Sequence, residues 1–147
     1  MFSTIVVGTD GSQTATEAVR QAVELATAVG GRLEIVCAYE PVPAARLKGG
    51  AQHVPADVEW TIGPREDVDA TLADAAQLAQ AAGITAAVHA RQGDPADAIL
   101  DVAEECGADL VVIGNKGMTG AKRFLLGSVP NKISHHAPCG VLIIRTS

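Results

Sequence analysis

The most constraining feature of the chain is the alternation of short apolar runs with longer segments of helical periodicity. Strands are predicted at Thr4–Val7, Leu33–Tyr39, Leu110–Ile113 and Val141–Ile144, with a weaker strand signal at Ile84–Arg91. These runs are largely apolar, whereas a strand with one solvated face alternates apolar and polar residues. The pattern therefore predicts an α/β protein with a parallel sheet covered by helices on both faces.

Segments with helical periodicity or helix-capping residues lie between the predicted strands. From Ala15 to Val29, apolar residues recur at three- and four-residue spacing, and Ser12 or Thr14 is the candidate N-cap. Asp94 followed by Pro95 predicts the start of another helix, because Asp caps first-turn N–H groups and Pro suits the first helical position. The remaining helices are predicted at Val68–Ala82 and from near Ser128. Four helices are therefore expected.

Length and charge limit the function classes. A chain of 147 residues is close to the usual length of one domain. Eleven basic and seventeen acidic residues give a net charge of −6, which disfavours contact with a nucleic-acid backbone. Aromatic residues make up 3% of the chain, too few for a single-strand stacking surface. We expect one domain over residues 1–147 that does not bind nucleic acid.

Cysteine usage and hydropathy indicate the compartment. Cys37, Cys106 and Cys139 are odd in number and lie within or beside apolar segments, as free core thiols do in a reducing environment. The first residues lack the basic and apolar regions of a signal peptide. No run approaches the roughly 20 apolar residues of a membrane span. We therefore expect a cytoplasmic protein without membrane contact.

Two loops of small residues follow the first and fourth predicted strands, at 8–12 and 114–117. Ligands of open parallel sheets bind beyond the carboxyl ends of the strands. Glycine lets backbone N–H groups approach an anion, and the helix near Ser128 adds N–H groups and a positive dipole end. The loops therefore predict a phosphate site, with tight turns alone as the alternative.

Two well-known phosphate motifs are absent. A P-loop starting at Gly114 requires glycine and then lysine at positions 119 and 120, where Thr119 and Gly120 stand. The dinucleotide fingerprint is also missing, because the loop after the first strand has only Gly8 and Gly11. NAD and FAD are therefore not expected.

The spacing Gly114-x2-Gly117-x9-Gly127-Ser128 resembles the pattern of nucleotide-binding universal stress proteins. The resemblance extends along the chain, through 5–12, 93–95, 126–129 and 137–142. It implies a single-domain Rossmann-like open sandwich, with a five-stranded parallel sheet in the order 3-2-1-4-5 and four helices on the two faces. The two glycine-bearing loops then flank one crevice.

The resemblance also implies a set of ligand-binding residues. Asp10 would lie near the ribose or a phosphate-bound Mg²⁺, and Ala38 would offer its backbone to adenine. The nucleotide-binding set is Gly8, Thr9, Asp10, Ala38, Ile113, Gly114, Lys116, Gly117, Gly127, Ser128 and Val129. Of these, the last four would donate N–H groups to phosphates. For Asp10 a capping role in the turn, and for Lys116 a solvated loop surface, are the alternatives.

The implied function is that of a regulatory protein that binds ATP in the stress response. Cyclic AMP is the alternative ligand, and slow ATP hydrolysis is an alternative activity. Ser128 favours ATP, whereas Pro130 lacks an N–H and favours a ligand with fewer phosphates. A fourth possibility, a family branch that works through protein contacts alone, is disfavoured because that branch lacks these glycines.

Three further expectations concern assembly and side-chain roles. The apolar run Val141–Ile144 would be an edge strand that needs covering, and the resemblance implies that two protomers pair there as a homodimer. The long segment 40–64 is rich in Pro and Gly and is a candidate lid over the nucleotide. His135 and His136 with Cys139 do not form a metal pattern, because adjacent helical residues diverge by about 100°.

Overall fold

The computed structural model describes residues 2–39, 65–115 and 127–146. The strands are β1 Thr4–Gly8, β2 Arg32–Tyr39, β3 Ala87–Gln92, β4 Leu110–Gly114 and β5 Gly140–Ile144. The helices are α1 Gln13–Val29, α2 Arg65–Ala81, α3 Pro95–Cys106 and α4 Ser128–His136. The predicted strands and helices are all present, so the alternating pattern identified the elements in their correct order.

The five strands form one parallel sheet in the order β3-β2-β1-β4-β5. This confirms the predicted topology. The strand order reverses between β1 and β4, because the first connections run towards β3 and the later ones towards β5. In such sheets the diverging loops leave a crevice at the carboxyl ends of the two central strands.

Two apolar layers pack on opposite faces of the sheet. Ile5 and Val7 of β1 contribute to the layer that α1 and α2 cover, whereas Val6 contributes to the layer under α3 and α4. All three side chains are fully buried. The helices on the two faces confirm the predicted open sandwich. Within the described ranges, no helix combines the length and apolar character that a bilayer span needs.

The helix ends follow the predicted capping chemistry. The Ser12 hydroxyl accepts a hydrogen bond from the Ala15 N–H at 3.1 Å, so Ser12 rather than Thr14 caps α1. Asp94 caps α3 through the N–H of Asp97 at 3.0 Å. These caps fix where each helix begins, and the cap of α1 lies directly beside the carboxyl end of β1.

The third strand begins later than the predicted run Ile84–Arg91. The backbone N–H of Ile84 donates to the carbonyl of Ala79 at 3.1 Å, after Gly83 has adopted a φ of +86°. This is the bonding of a glycine-terminated helix end, so Ile84 completes the end of α2. The strand therefore starts at Ala87.

Acidification is expected to remove a stabilising contribution from Asp109. Its Oδ2 accepts hydrogen bonds from the Ser3 hydroxyl, the Ser3 N–H and the Thr4 N–H at 2.6, 2.7 and 3.0 Å. These bonds, led by that of the hydroxyl, lower the pKa of the carboxyl below its ordinary 3.8. A folded-state pKa below the unfolded value adds stability above the unfolded pKa, and this stability is lost as the pH falls through the folded pKa.

Asp109→Asn is therefore expected to lower the free energy of unfolding at neutral pH, by an amount that shrinks below about pH 4. Urea unfolding of both proteins across this range measures the difference. Asp101→Asn, an exposed change on α3, is the control for the loss of one charge. A difference between wild type and Asp109→Asn that stays constant across the pH range would contradict the assignment.

Candidate functional site

The candidate site lies at the carboxyl ends of β1 and β4, where the strand order reverses. The backbone N–H of Thr9 donates to the carbonyl of Val36 at 2.9 Å, which ties the turn after β1 to β2. The N–H of Asn115 donates to the carbonyl of Ile144 at 2.9 Å, which ties the end of β4 to β5. Both walls of the crevice are thus fixed by backbone hydrogen bonds to neighbouring strands.

Asp10 has two differently bonded carboxylate oxygens. Its Oδ1 accepts a hydrogen bond from the Ser12 N–H at 2.9 Å, so this oxygen shapes the turn that leads into α1. Its Oδ2 is buried and has no hydrogen-bond partner among the described residues. A buried carboxylate oxygen without a donor is costly, and it is typical of sites where an additional group completes the bonding. Asp10 therefore shapes its turn and also leaves one oxygen for a donor or a cation.

The turn after β1 is fixed by its own hydrogen bonds. The Thr9 hydroxyl accepts from the Gly11 N–H at 3.1 Å, and Gly11 adopts a φ of +83°, which L-residues with side chains rarely adopt. Thr9 is 5% exposed, and its hydroxyl is engaged within the turn. Asp10 is therefore held on a defined backbone.

Gly8 and Gly114, both predicted to bind the ligand, also have packing roles. A Cβ at Gly114 would lie 2.6 Å from Cγ2 of Thr14 on α1. A Cβ at Gly8 would lie 2.3 Å from Cδ1 of Ile99 and 3.1 Å from Cδ1 of Ile113. The absence of these side chains therefore lets α1 and α3 approach the central strands closely.

The first turn of α4 lies beside the β4 wall of the crevice. Gly127 is the N-cap, and its N–H donates to the carbonyl of Asn115 at 3.1 Å. In the described part of the chain, the N–H groups of Ser128 and Val129 have no acceptor. Pro130 has no N–H. The donors left at this helix end are therefore the two N–H groups and the Ser128 hydroxyl.

Asn115 joins the loop to the end of the chain and was not predicted as a site residue. Its Oδ1 accepts from the Thr146 N–H at 3.2 Å and from the Thr146 hydroxyl at 3.3 Å. The same hydroxyl lies 3.1 Å from Oγ1 of Thr14 on α1. Asn115 therefore connects β4, α4 and the segment after β5. It is an unspecified position within the glycine pattern, so only its tertiary contacts identify it.

Ala38 and Ile113 lie at the ends of β2 and β4 and are 5% and 6% exposed. Cys37 lies beside Ala38, and burial, with a smaller effect of the Asp10 charge, raises the pKa of its thiol to about 12. It is the unreactive core thiol expected from the sequence. Cys106 and Cys139 are half-buried, so of the three expected buried thiols only Cys37 is buried.

Several expected site residues lie outside the described residues. They are Lys116, Gly117 and the 40–64 segment. His135 and His136 are described and lie exposed in the last turn of α4, where they complement the negative end of the helix dipole.

The described side of the crevice therefore combines one buried anionic oxygen with the unpaired N–H groups of a helix end. These residues fit a ligand that carries a hydroxyl group or a bound cation at one end and phosphate at the other. With the doubly wound sheet, this defines a Rossmann-like α/β protein with a crevice at the switch point.

The Universal stress protein family profile matches residues 1–145, and the chain belongs to this family. A universal stress protein of Mycobacterium tuberculosis is 36% identical over 148 residues, covering 99% of this chain and 98% of the relative. The structure of a universal stress protein in complex with cAMP is 33% identical, covers 99% of this chain and 98% of that chain, and has a TM-score of 0.74. The family member from Archaeoglobus fulgidus in complex with dAMP is 25% identical, covers 97% and 98%, and has a TM-score of 0.68.

Proposed function

We propose that this protein binds an adenine nucleotide, ATP, in the crevice between β1 and β4. The observation that carries the proposal is the buried Oδ2 of Asp10, which has no partner among the described residues and lies at the switch point of the sheet. The relatives solved with cAMP and dAMP both carry adenine and phosphate, which supports this ligand class.

The proposed contacts follow the chemistry of each group. Oδ2 of Asp10 accepts from a ribose hydroxyl, since a carboxylate is a strong acceptor for such a donor. The N–H groups of Ser128 and Val129 and the Ser128 hydroxyl donate to phosphate oxygens at the positive end of α4. Gly127 has no side chain and therefore lets the phosphate come close to the backbone.

The remaining proposed contacts enclose the base and the sugar. Ala38 offers its backbone to adenine, and Ile113 and Gly114 line the sugar. The turn residues Gly8 and Thr9 hold Asp10 in position. Lys116 and Gly117 contribute to phosphate binding, as the family resemblance implies.

A divalent ion would bind together with the nucleotide phosphates. Mg²⁺ prefers carboxylate, phosphate and water oxygens, so the Oδ2 of Asp10 fits as its protein ligand. When bound, the ion would neutralise phosphate charge next to this carboxylate. This role replaces the contact to the ribose at the same oxygen, so the two roles of Asp10 are alternatives.

We further propose a regulatory role in the stress response as a cytoplasmic homodimer that does not bind nucleic acid. Membership of the universal stress protein family supports the stress role. In the described part of the crevice, Asp10 is the only carboxylate with a free buried oxygen. Nucleotide hydrolysis requires a positioned water and several charges on the leaving phosphate, so binding is favoured over an ATPase.

Cyclic AMP is the second candidate ligand. The structural relative in complex with cAMP is 33% identical to this chain. Pro130 removes one N–H from the first turn of α4, and a cyclic monophosphate needs fewer donors than a triphosphate. The two ligands therefore differ in how many phosphate contacts the site must supply.

Isothermal titration of nucleotide-free protein with ATP and Mg²⁺ is expected to give saturable binding of one ATP per chain. Cyclic AMP in competition separates the two candidates, because only a shared site lets it displace ATP. Guanosine triphosphate is the control, since it carries the same phosphates on a different base. Displacement at low cyclic AMP would favour the second ligand, and no binding of either nucleotide would refute the proposed function.

A further inference from the structure

A cluster of metal-binding side chains lies away from the crevice, on the face of the sheet that α3 and α4 cover. Glu34 of β2, His89 of β3 and Cys106 of α3 each direct one ligand atom to a common point, and these atoms all lie within 4.8 Å of one another. Nε2 of His89 is 2.9 Å from Oε1 of Glu34, and Sγ of Cys106 is 3.5 Å from the same oxygen. Three elements therefore converge on one carboxylate oxygen.

The position of the cluster follows from the sheet register. Glu34 pairs with Ala87, and His89 pairs with Val36, so both side chains share the face to which Val36 contributes. Cys106 is the last residue of α3, which runs back towards the amino ends of the strands. Glu34 and Ala38 are four residues apart on β2, about 13 Å at 3.3 Å per residue. The cluster and the nucleotide crevice therefore occupy opposite ends of the sheet.

Glu34 places a carboxylate within this apolar layer, so its burial must be compensated by other groups. It is 6% exposed, between the apolar residues Leu33 and Ile35 on a strand where five of its neighbours are also buried. A buried carboxylate is costly unless hydrogen bonds or a cation compensate it. Arg32 reaches only the other oxygen, Oε2, at 3.8 Å, and its side chain is 69% exposed. Among the described residues, Oε1 is compensated only by its contacts with His89 and Cys106.

We propose that Glu34, His89 and Cys106 bind a divalent cation of the zinc class, with the fourth position open to solvent. Thiolate, imidazole and carboxylate together select Zn²⁺-like ions over Mg²⁺ or Ca²⁺. Ligand atoms held tetrahedrally at about 2.0–2.3 Å from Zn²⁺ lie about 3.3–3.7 Å from one another, so shifts of under about 1 Å suit the side chains to the ion. Glutamate and thiolate also neutralise its charge.

The edge of the sheet gives the ion access. β3 is the outermost strand on this side, and the side chain of His89 is 21% exposed. The side chains of Arg91 and Glu105 form an ion pair at 2.7 Å. Arg91 lies on β3 with His89, and Glu105 lies on α3 with Cys106. A bound ion would join β2, β3 and α3, and would stabilise the β3 edge of the sheet.

The test uses tag-free, reduced protein titrated with Co²⁺ and then with Zn²⁺. Wild type is expected to bind one Co²⁺ per chain, with the near-ultraviolet charge-transfer band of a cobalt–thiolate bond, and Zn²⁺ is expected to displace it and raise the melting temperature. Cys106→Ser is expected to abolish the band and weaken Zn²⁺ binding at least 10-fold, since even the loss of an indirect ligand contact costs about 10- to 100-fold.

Matched variants separate this site from other thiols and imidazoles. Cys139→Ser removes another half-buried thiol, and His136→Gln removes an exposed imidazole; both are expected to retain the cobalt band. His89→Gln, on the sheet edge, is expected to weaken Zn²⁺ binding at least 10-fold and provides a second test if Cys106→Ser misfolds. A band retained in folded Cys106→Ser, or no band in wild type, would overturn the proposal. ATP titration of the same variants reports on the crevice independently.

Discussion

Replacing Asp10 with asparagine is expected to weaken ATP binding by about 10- to 100-fold, because hydrogen bonds to a charged group contribute about 1.5–3 kcal/mol. The Asn side chain can keep the bond that Oδ1 accepts from the Ser12 N–H, so the turn is preserved. It places an amide N–H₂ group where Oδ2 stands, and a donor there cannot accept from a ribose hydroxyl or bind Mg²⁺. Titration calorimetry of wild type and variant measures the loss.

Protein stability separates this prediction from a structural role of Asp10. Because Oδ2 makes no hydrogen bond among the described residues, Asp10→Asn is expected to leave the free energy of unfolding equal or higher. Asp101→Asn makes the same change of charge at an exposed position of α3 and is expected to retain full ATP affinity. Unchanged ATP affinity in Asp10→Asn, or a loss of affinity that follows a loss of stability, would contradict the proposed contact.

The architecture was predictable because each element carries a local signal. Apolar runs predict strands buried on both faces, and Ser12 and Asp94 predict helix starts through bonds within one turn. The strand order came from the family resemblance and not from periodicity. The predicted start of β3 at Ile84 was wrong because the N–H of Ile84 donates to the carbonyl of Ala79. This hydrogen bond depends on how α2 ends. Local patterns therefore predict elements better than they predict their boundaries.

The site was predictable in outline but not in its bonding. The glycine spacing predicts that the ends of β1 and β4 and the start of α4 share one ligand site, whereas the structure shows that Gly8 and Gly114 serve close helix packing. The N–H of Gly127, an expected phosphate donor, is bonded to Asn115. A sequence pattern cannot separate these roles, because the same lack of a side chain satisfies both.

The Glu34, His89 and Cys106 cluster had no sequence signal. Glu34 is separated from His89 by 55 residues and from Cys106 by 72, so no short-range metal spacing exists. Taken alone, each residue is also compatible with an ordinary structural role in its own strand or helix. Only the parallel register of β2 and β3, with α3 above them, brings the three ligand atoms together.

The two edge strands of the sheet differ in how readily they would pair with another chain. β3 carries His89, Arg91 and Gln92, and polar or charged edge residues discourage strand addition. β5 is Gly140 followed by four apolar residues, and only Ile144 among them is fully buried. An apolar edge strand with exposed backbone groups favours pairing, so we propose that Val141–Ile144 forms the homodimer contact.

Leu142→Asp is therefore expected to convert the homodimer to monomer, with a dimer dissociation constant raised at least about 30-fold, as for an interface residue worth about 2 kcal/mol or more. Leu142 is 40% exposed on β5, and a carboxylate there would be desolvated against the partner. Val88→Asp is the matched control, since Val88 is 46% exposed on the opposite edge strand and faces the same side of the sheet. Sedimentation equilibrium at micromolar concentration measures both. A monomeric wild type, or dissociation caused by Val88→Asp and not by Leu142→Asp, would refute pairing through β5.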